Sequence, residues 1–83
     1  MNKVIVEVFV PMISAQYDIF IPIHVQMGVV LDLVKQAVTD LSGRLFVADE
    51  NTVICFRETG KIIDINMSIE ELGITNGSRL MLI

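Results

Sequence analysis

The sequence closes on Leu80-Met81-Leu82-Ile83, a run that is apolar on both alternating faces. A strand with no polar side is poorly suited to a wetted edge and belongs in the middle of a sheet, with neighbours on both sides. The residues before it show how the chain arrives there. Ser68-Ile69-Glu70-Glu71 is a capping box: the serine oxygen can accept from the amide of Glu71, and the glutamate carboxylate from the amide of Ser68. Gly73 supplies the left-handed residue that ends a helix of one to two turns. Asn76-Gly77 is a tight turn of the kind that needs positive φ. The rest of the chain must supply the neighbours of this last strand.

Val4, Val6, Val8 and Val10 alternate with Lys3, Ile5, Glu7 and Phe9, a period of two in β-branched residues and hence a strand. Pro11 stops it, and residues 12–16 make the turn. Tyr17, Ile19, Ile21 and Ile23 alternate with Asp18, Phe20 and Pro22 as a second strand, antiparallel to the first. Pro22 cannot donate to a ladder, so this strand lies at a sheet edge. From Gln26 to Ser42 the period becomes helical. Met27, Val30, Leu31, Val34, Val38 and Leu41 share one face, with Asp32, Lys35, Gln36 and Thr39 on the other. Gly43 ends this helix. Its start is poorly marked, since neither His24 nor Val25 is a good cap and Gly28 and the valines are weak helix formers. Tertiary packing must therefore hold it.

Leu45, Phe46 and Val47 are expected to tuck under the helix end, with Asp49-Glu50-Asn51 as a polar tip. Residues 52–57 read as a third strand, Glu58-Thr59-Gly60-Lys61 as a turn, and Ile62-Ile63 as a short fourth strand. The order is β-β-α-β-β-α-β in one domain spanning 1–83. The first and last strands are the most apolar, so they lie parallel at the centre, and the long helix crosses one face. This is an α+β fold of the β-grasp type.

Charge excludes one class of partner. The formal net charge is −4 and the six basic residues are scattered, leaving no basic stripe to displace phosphate counterions from a nucleic acid. No apolar run approaches the roughly 20 residues that span a bilayer, so direct membrane insertion is not expected. Asn2-Lys3 followed by Val4 to Ala15 has the outline of a signal peptide, but Glu7 interrupts the run, Pro11 breaks it, and its alternation is that of a strand. A single cysteine, Cys55, rules out an internal disulfide and fits a reducing compartment. A cytoplasmic location is expected.

The order of elements, with the ending Leu72-Gly73-Ile74-Thr75-Asn76-Gly77-Ser78-Arg79-Leu80, resembles ubiquitin-like proteins over the whole chain. Tyr17-Asp18-Ile19-Phe20-Ile21, Val30-Leu31-Asp32-Leu33 with Gln36-Ala37, and Gly73-Ile74-Thr75-Asn76-Gly77-Ser78-Arg79-Leu80 resemble more narrowly the YukD/EsaB family. These are small bacterial ubiquitin-like proteins associated with type VII (WXG100, ESX-like) secretion. The resemblance implies a non-enzymatic accessory module that binds protein partners in the cytoplasm, such as the cytoplasmic domains of secretion membrane proteins. Ubiquitin-type modifiers carry a flexible tail with a terminal Gly-Gly, and this sequence stops at Ile83 inside the last strand. A conjugated modifier or sulfur carrier is thus the disfavoured alternative. A scaffold domain unrelated to secretion is another.

Residues that could carry chemistry are few. Cys55 as a nucleophile needs a base or cation to lower its pKa. The sole histidine, His24, has no spacing that brings it there, so Cys55 reads as a small apolar residue on a strand. His24 alone is not a zinc site, and Asp49-Glu50-Asn51 is too small a set for calcium. No cofactor, metal or catalytic residue is expected. The sharper feature is the sheet face away from the helix. If the helix covers Val4, Val6, Val8, Ile19, Ile21, Ile54, Phe56, Leu80 and Leu82, alternation turns Ile5, Phe9, Phe20, Val53, Cys55, Met81 and Ile83 outward. Lys3, Glu7, Asp18, Arg57 and Arg79 then fringe an apolar centre. Hydrophobic residues make up 53% of the sequence, more than so small a domain can hide. These seven residues are the expected binding patch for a partner protein or a second copy. The alternative is that the two faces are inverted, or that scattered surface apolars need no explanation.

Overall fold

The computed structural model describes residues 2–83. Its strands are β1 (Lys3–Val10), β2 (Ala15–Pro22), β3 (Ile54–Phe56) and β4 (Ser78–Leu82), with one helix, α1 (Met27–Leu41). They form a four-stranded mixed sheet in the order β2-β1-β4-β3, with β1 and β4 parallel at the centre and antiparallel strands outside. This is the β-grasp arrangement. β2 lies at an edge. The amide of Ile23 donates inward to the carbonyl of Asn2, so the neighbouring Pro22 nitrogen faces the open side, where no donor is missed. The turn into β2 is tighter than the sequence suggests. Pro11–Ile13 forms a single 3-10 turn, Ser14 takes φ +50°, and β2 begins at Ala15.

The inner face of the sheet packs Val6, Val8, Val10, Ile21, Ile54, Leu80 and Leu82 against Met27, Val30, Val34 and Val38 of α1, all buried. Ile63, Ile69, Ile74 and Phe46 close the core from the connections. The faces therefore lie as strand alternation requires. Leu41 departs from expectation: at the last helical position it is exposed, and Phe46 is buried near that end of the core instead. The Ser42 hydroxyl accepts from the Phe46 amide (3.2 Å) and so holds it beside the helix end. Leu45 and Val47, expected to tuck in with it, are exposed.

The start of α1 explains how a weakly signalled helix is held. Gln26 provides no side-chain cap. The first two helical amides, which no helix can satisfy internally, donate instead to a distant loop. Met27 N–H donates to the carbonyl of Met67 (2.8 Å) and Gly28 N–H to that of Ile65 (2.9 Å). In the other direction, Ile69 and Glu70 donate to Val25 and Ile23 (3.2 and 3.1 Å). Gln26 and Ser68 pair as an isolated bridge in the middle. A Cβ at Gly28 would stand 3.4 Å from the Ile65 carbonyl oxygen, at the edge of ordinary van der Waals contact.

Three expected elements are shorter than the sequence implied. The third strand, read over residues 52–57, spans only Ile54–Phe56. Ile62-Ile63 does not form a strand; it leaves one bridge, Cys55 to Ile62. The chain turns away at once through Asp64, whose Oδ1 accepts from the Asn66 amide (2.8 Å). The capping box is fully made, with Glu71 N–H to Ser68 Oγ at 3.0 Å and Ser68 N–H to Glu71 Oε1 at 2.9 Å. It nucleates only a turn, because Gly73 at φ +73° ends the segment before a helix can propagate. Asn76-Gly77 does more than turn. Asn76 Oδ1 accepts from the Ile5 amide (2.8 Å) and Gly77 N–H donates to the Ile5 carbonyl (2.9 Å), which extends the central parallel ladder by one residue pair.

The Ser68 amide and hydroxyl hold the Glu71 carboxyl below its usual value near 4.5. A depressed carboxyl stabilises the fold above its ordinary value, and that contribution is lost as pH falls through the lowered one. In an NMR titration Glu71 is expected to show a midpoint below that of a free glutamate, and Ser68→Ala should move it back up. An unshifted midpoint in both proteins would contradict the capping box.

Candidate protein-interaction surface

The outer sheet face is read most clearly row by row across the strands. One row runs Asp18, Glu7, Arg79, Arg57: Glu7 pairs with Asp18 and with Arg79, and the Arg57 amide donates to the Arg79 carbonyl. The next runs Gln16, Phe9, Met81, Cys55. Beyond it, Val53 and Ile83 exchange two backbone hydrogen bonds, at 2.8 and 2.9 Å. On the far side of the charged row, Ile5 pairs with Phe20.

The seven expected residues are thus split into two apolar islands. Ile5 with Phe20 forms one. Phe9, Met81, Val53 and Ile83 form the other. Glu7, Asp18, Arg57 and Arg79, expected at the fringe, instead run across the middle. The reason is register. In each strand the charged residue falls at the same level, so cross-strand pairing aligns two acids with two bases.

Arg57 then covers part of the larger island. Its Nη1 donates to Glu7 Oε1 (2.9 Å) and to Gln16 Oε1 (3.1 Å), and its guanidinium lies 4.3 Å from the centre of the Phe9 ring. The side chain starts beside β3 and crosses β4 to reach β1 and β2. Phe9 is half-buried as a result, and the arginine contributes both an ion pair and a cation–π contact.

Cys55 is a correction. It faces outward in register, yet its side chain is 0% exposed. Met81 and Ile62 flank it across the sheet, and Val53 and Arg57 along its own strand, so a short side chain lies below larger neighbours. Its S–H donates to the Met81 carbonyl at 3.5 Å, and burial pushes the thiol up from its ordinary value. It therefore offers neither contact area nor a thiolate. The exposed members of the surface are Phe20 (63%) and Ile83 (49%), with Ile5, Met81 and Val53 half-buried around them.

His24 lies before α1, where its Nδ1 is 3.0 Å from Glu70 Oε2 with both side chains largely exposed. Asp49 accepts from the Asn51 amide through Oδ1 (2.8 Å), so the acidic tip is a hydrogen-bonded turn. One surface escaped the sequence reading. Val29 (52%) and Leu33 (51%) are exposed on α1 and, with Ala37 and Leu41, recur at a four-residue spacing. That periodicity was visible in the sequence, offset from the core stripe.

Two outcomes follow. Arg57→Ala should destabilise the protein by roughly 1 kcal/mol in chemical denaturation, since a partly exposed ion pair and a cation–π contact are each worth about that or less. The double cycle with Glu7→Gln should show positive coupling, and additive effects would contradict the contact. Cys55 should resist an aromatic disulfide reagent in the folded protein and react fully once unfolded. Rapid labelling under native conditions would contradict its burial.

No protein-family model matches the sequence, and no curated protein matches it. Solved structures do. The EccD5 ubiquitin-like domain from Mycobacterium xenopi superposes with a TM-score of 0.82 at 20% identity, covering 100% of this chain and 94% of that one. The ubiquitin-like domain of the Mycobacterium tuberculosis type VII secretion system protein ECCD1 gives 0.79 at 15% identity, over 100% and 99% of the two chains. A chain of the MycP5-free ESX-5 inner membrane complex gives 0.75 at 18% identity, with 100% of this chain matching 21% of that one. Likeness at this identity identifies the architecture, and the fold is a ubiquitin-like β-grasp.

Proposed function

We propose that this chain is a non-enzymatic ubiquitin-like interaction module serving type VII secretion, of the YukD/EsaB kind, that works in the cytoplasm by binding other proteins. The observation that carries the reading is the end-to-end likeness to two ubiquitin-like domains of mycobacterial type VII systems, with nearly all of each partner chain matched. The third likeness is to a piece of an inner membrane complex, which supports protein partners of that kind. Among the described residues no helix is long and apolar enough to cross a membrane. Nor does any group of three or more His, Cys, Asp or Glu among them stand where a metal could be shared.

The docking surface in this reading is the outer sheet face. Two apolar islands, around Phe20 and around Met81, would supply the buried anchors of an interface, and the charged row between them would fix register. A second copy of the chain is the other candidate for the same face.

The test is a pull-down against the cytoplasmic domains of the secretion membrane proteins. Met81→Glu and, as a variant at a more exposed position, Phe20→Glu should each weaken capture at least tenfold, as expected for anchors worth over about 1.4 kcal/mol. Their circular dichroism should remain that of the parent. Capture unchanged in both variants would remove the sheet face from the reading. Sedimentation across a concentration series separates the second candidate: a dimer broken by Phe20→Glu would assign the face to self-association.

A further inference from the structure

The apolar stripe on the outside of α1 lies outside everything assigned above. Val29, Leu33, Ala37 and Leu41 repeat every four residues, so they are neighbours on the helix surface. Val29, Leu33 and Leu41 are each more than half exposed, at 52%, 51% and 59%. Three branched apolar side chains left open along one ridge are not required by the core, which Met27, Val30, Val34 and Val38 already fill. The ridge runs about 18 Å, twelve residues at about 1.5 Å each.

We infer that this ridge is a second docking site, and that its occupant is an amphipathic helix of a partner protein with basic residues flanking its apolar face. Shape argues for a helix. A ridge of i, i+4 side chains on a rod packs into the groove between the equivalent ridges of another helix. Charge argues for the basic flank. Asp32, Gln36 and Asp40 form a parallel row beside the ridge, also at four-residue spacing and all exposed. Lys35 lies a further turn-face away, and Arg44 and Asp49 lie past the helix end; Asp32, Lys35, Gln36, Asp40, Arg44 and Asp49 share one shallow polar recess. The row immediately beside the ridge therefore carries two carboxylates and no cation, and Lys35 and Arg44 stand beyond it. Two copies paired through it would set aspartates against aspartates, and an anionic lipid surface would be repelled. A lysine- or arginine-flanked helix meets both features.

The probe is a synthetic peptide of about 18 residues with leucines at four-residue spacing flanked by lysines, set beside the same peptide with glutamates for lysines and a scrambled version. Amide shifts of the labelled protein should change along residues 29–41 with the lysine peptide, and the glutamate and scrambled peptides should bind at least tenfold more weakly. Leu33→Glu, an exposed substitution favourable to helix, should weaken the lysine peptide at least tenfold. Asp32→Lys with Asp40→Lys should reverse the preference between lysine and glutamate peptides. Equal binding of the three peptides, or shifts confined to the sheet face, would overturn the inference. So would a concentration-dependent dimer lost in Leu33→Glu, which gives the ridge to a second copy. Sedimentation of the protein with phosphatidylglycerol vesicles, lost in Leu33→Glu, would overturn it in favour of a lipid surface.

Discussion

The structure depends on a clamp between two short segments far apart in the chain, residues 23–28 and 65–70. Four backbone hydrogen bonds join them, two in each direction, around the Gln26–Ser68 bridge. The helix has no side-chain cap and opens Met27-Gly28-Val29-Val30, with a glycine and two valines in its first turn, so its own propensity is weak. The clamp supplies acceptors for the two amides that would otherwise be orphaned at the helix start. It also seats Ile69, which joins Met27 in the buried core. With the helix held on one side of the sheet, the other side is left open. The functional reading rests on that division.

On the open side, register decides what a partner would meet. A strand pattern read one strand at a time suggests an apolar centre with charges around it. Pairing aligns Asp18, Glu7, Arg79 and Arg57 into a band, and Arg57 folds over Phe9. The surface becomes two apolar islands with a polar divider, a layout that favours orientation-specific docking over nonspecific adhesion. The exposed ridge of α1 on the opposite side would give the domain two independent faces. A small protein with two such faces can join two partners at once.

Much of this was legible in the sequence because the signals were local or periodic. Alternating valines gave β1 and its buried face. Pro22 gave the sheet edge. The apolar close of the chain placed β4 at the centre beside β1. The capping box and the Asn76-Gly77 turn were readable from residue type and spacing alone. What was not legible depends on contacts between distant segments. No local pattern tells that the carbonyls of Ile65 and Met67 cap α1, or that Asn76 reaches the Ile5 amide. Nor does one show that Ile62-Ile63 stops at a single bridge. The burial of Cys55 was missed because alternation assigns a direction to a side chain but not the height of its neighbours. Leu41 was misplaced because a helical wheel takes no account of the connector, whose Phe46 is buried by that end.

The most direct test of the clamp is native-state amide hydrogen exchange at Met27 and Gly28. First-turn amides of a helix ordinarily face water and exchange fast. Here both donate to carbonyls of the 65–67 loop, so they should exchange as slowly as the amides of β1 and β4. Exchange at the rate of a frayed helix end, with the sheet still protected, would show that the loop does not hold the helix. The division of the sheet into a covered and an open face would then need another cause.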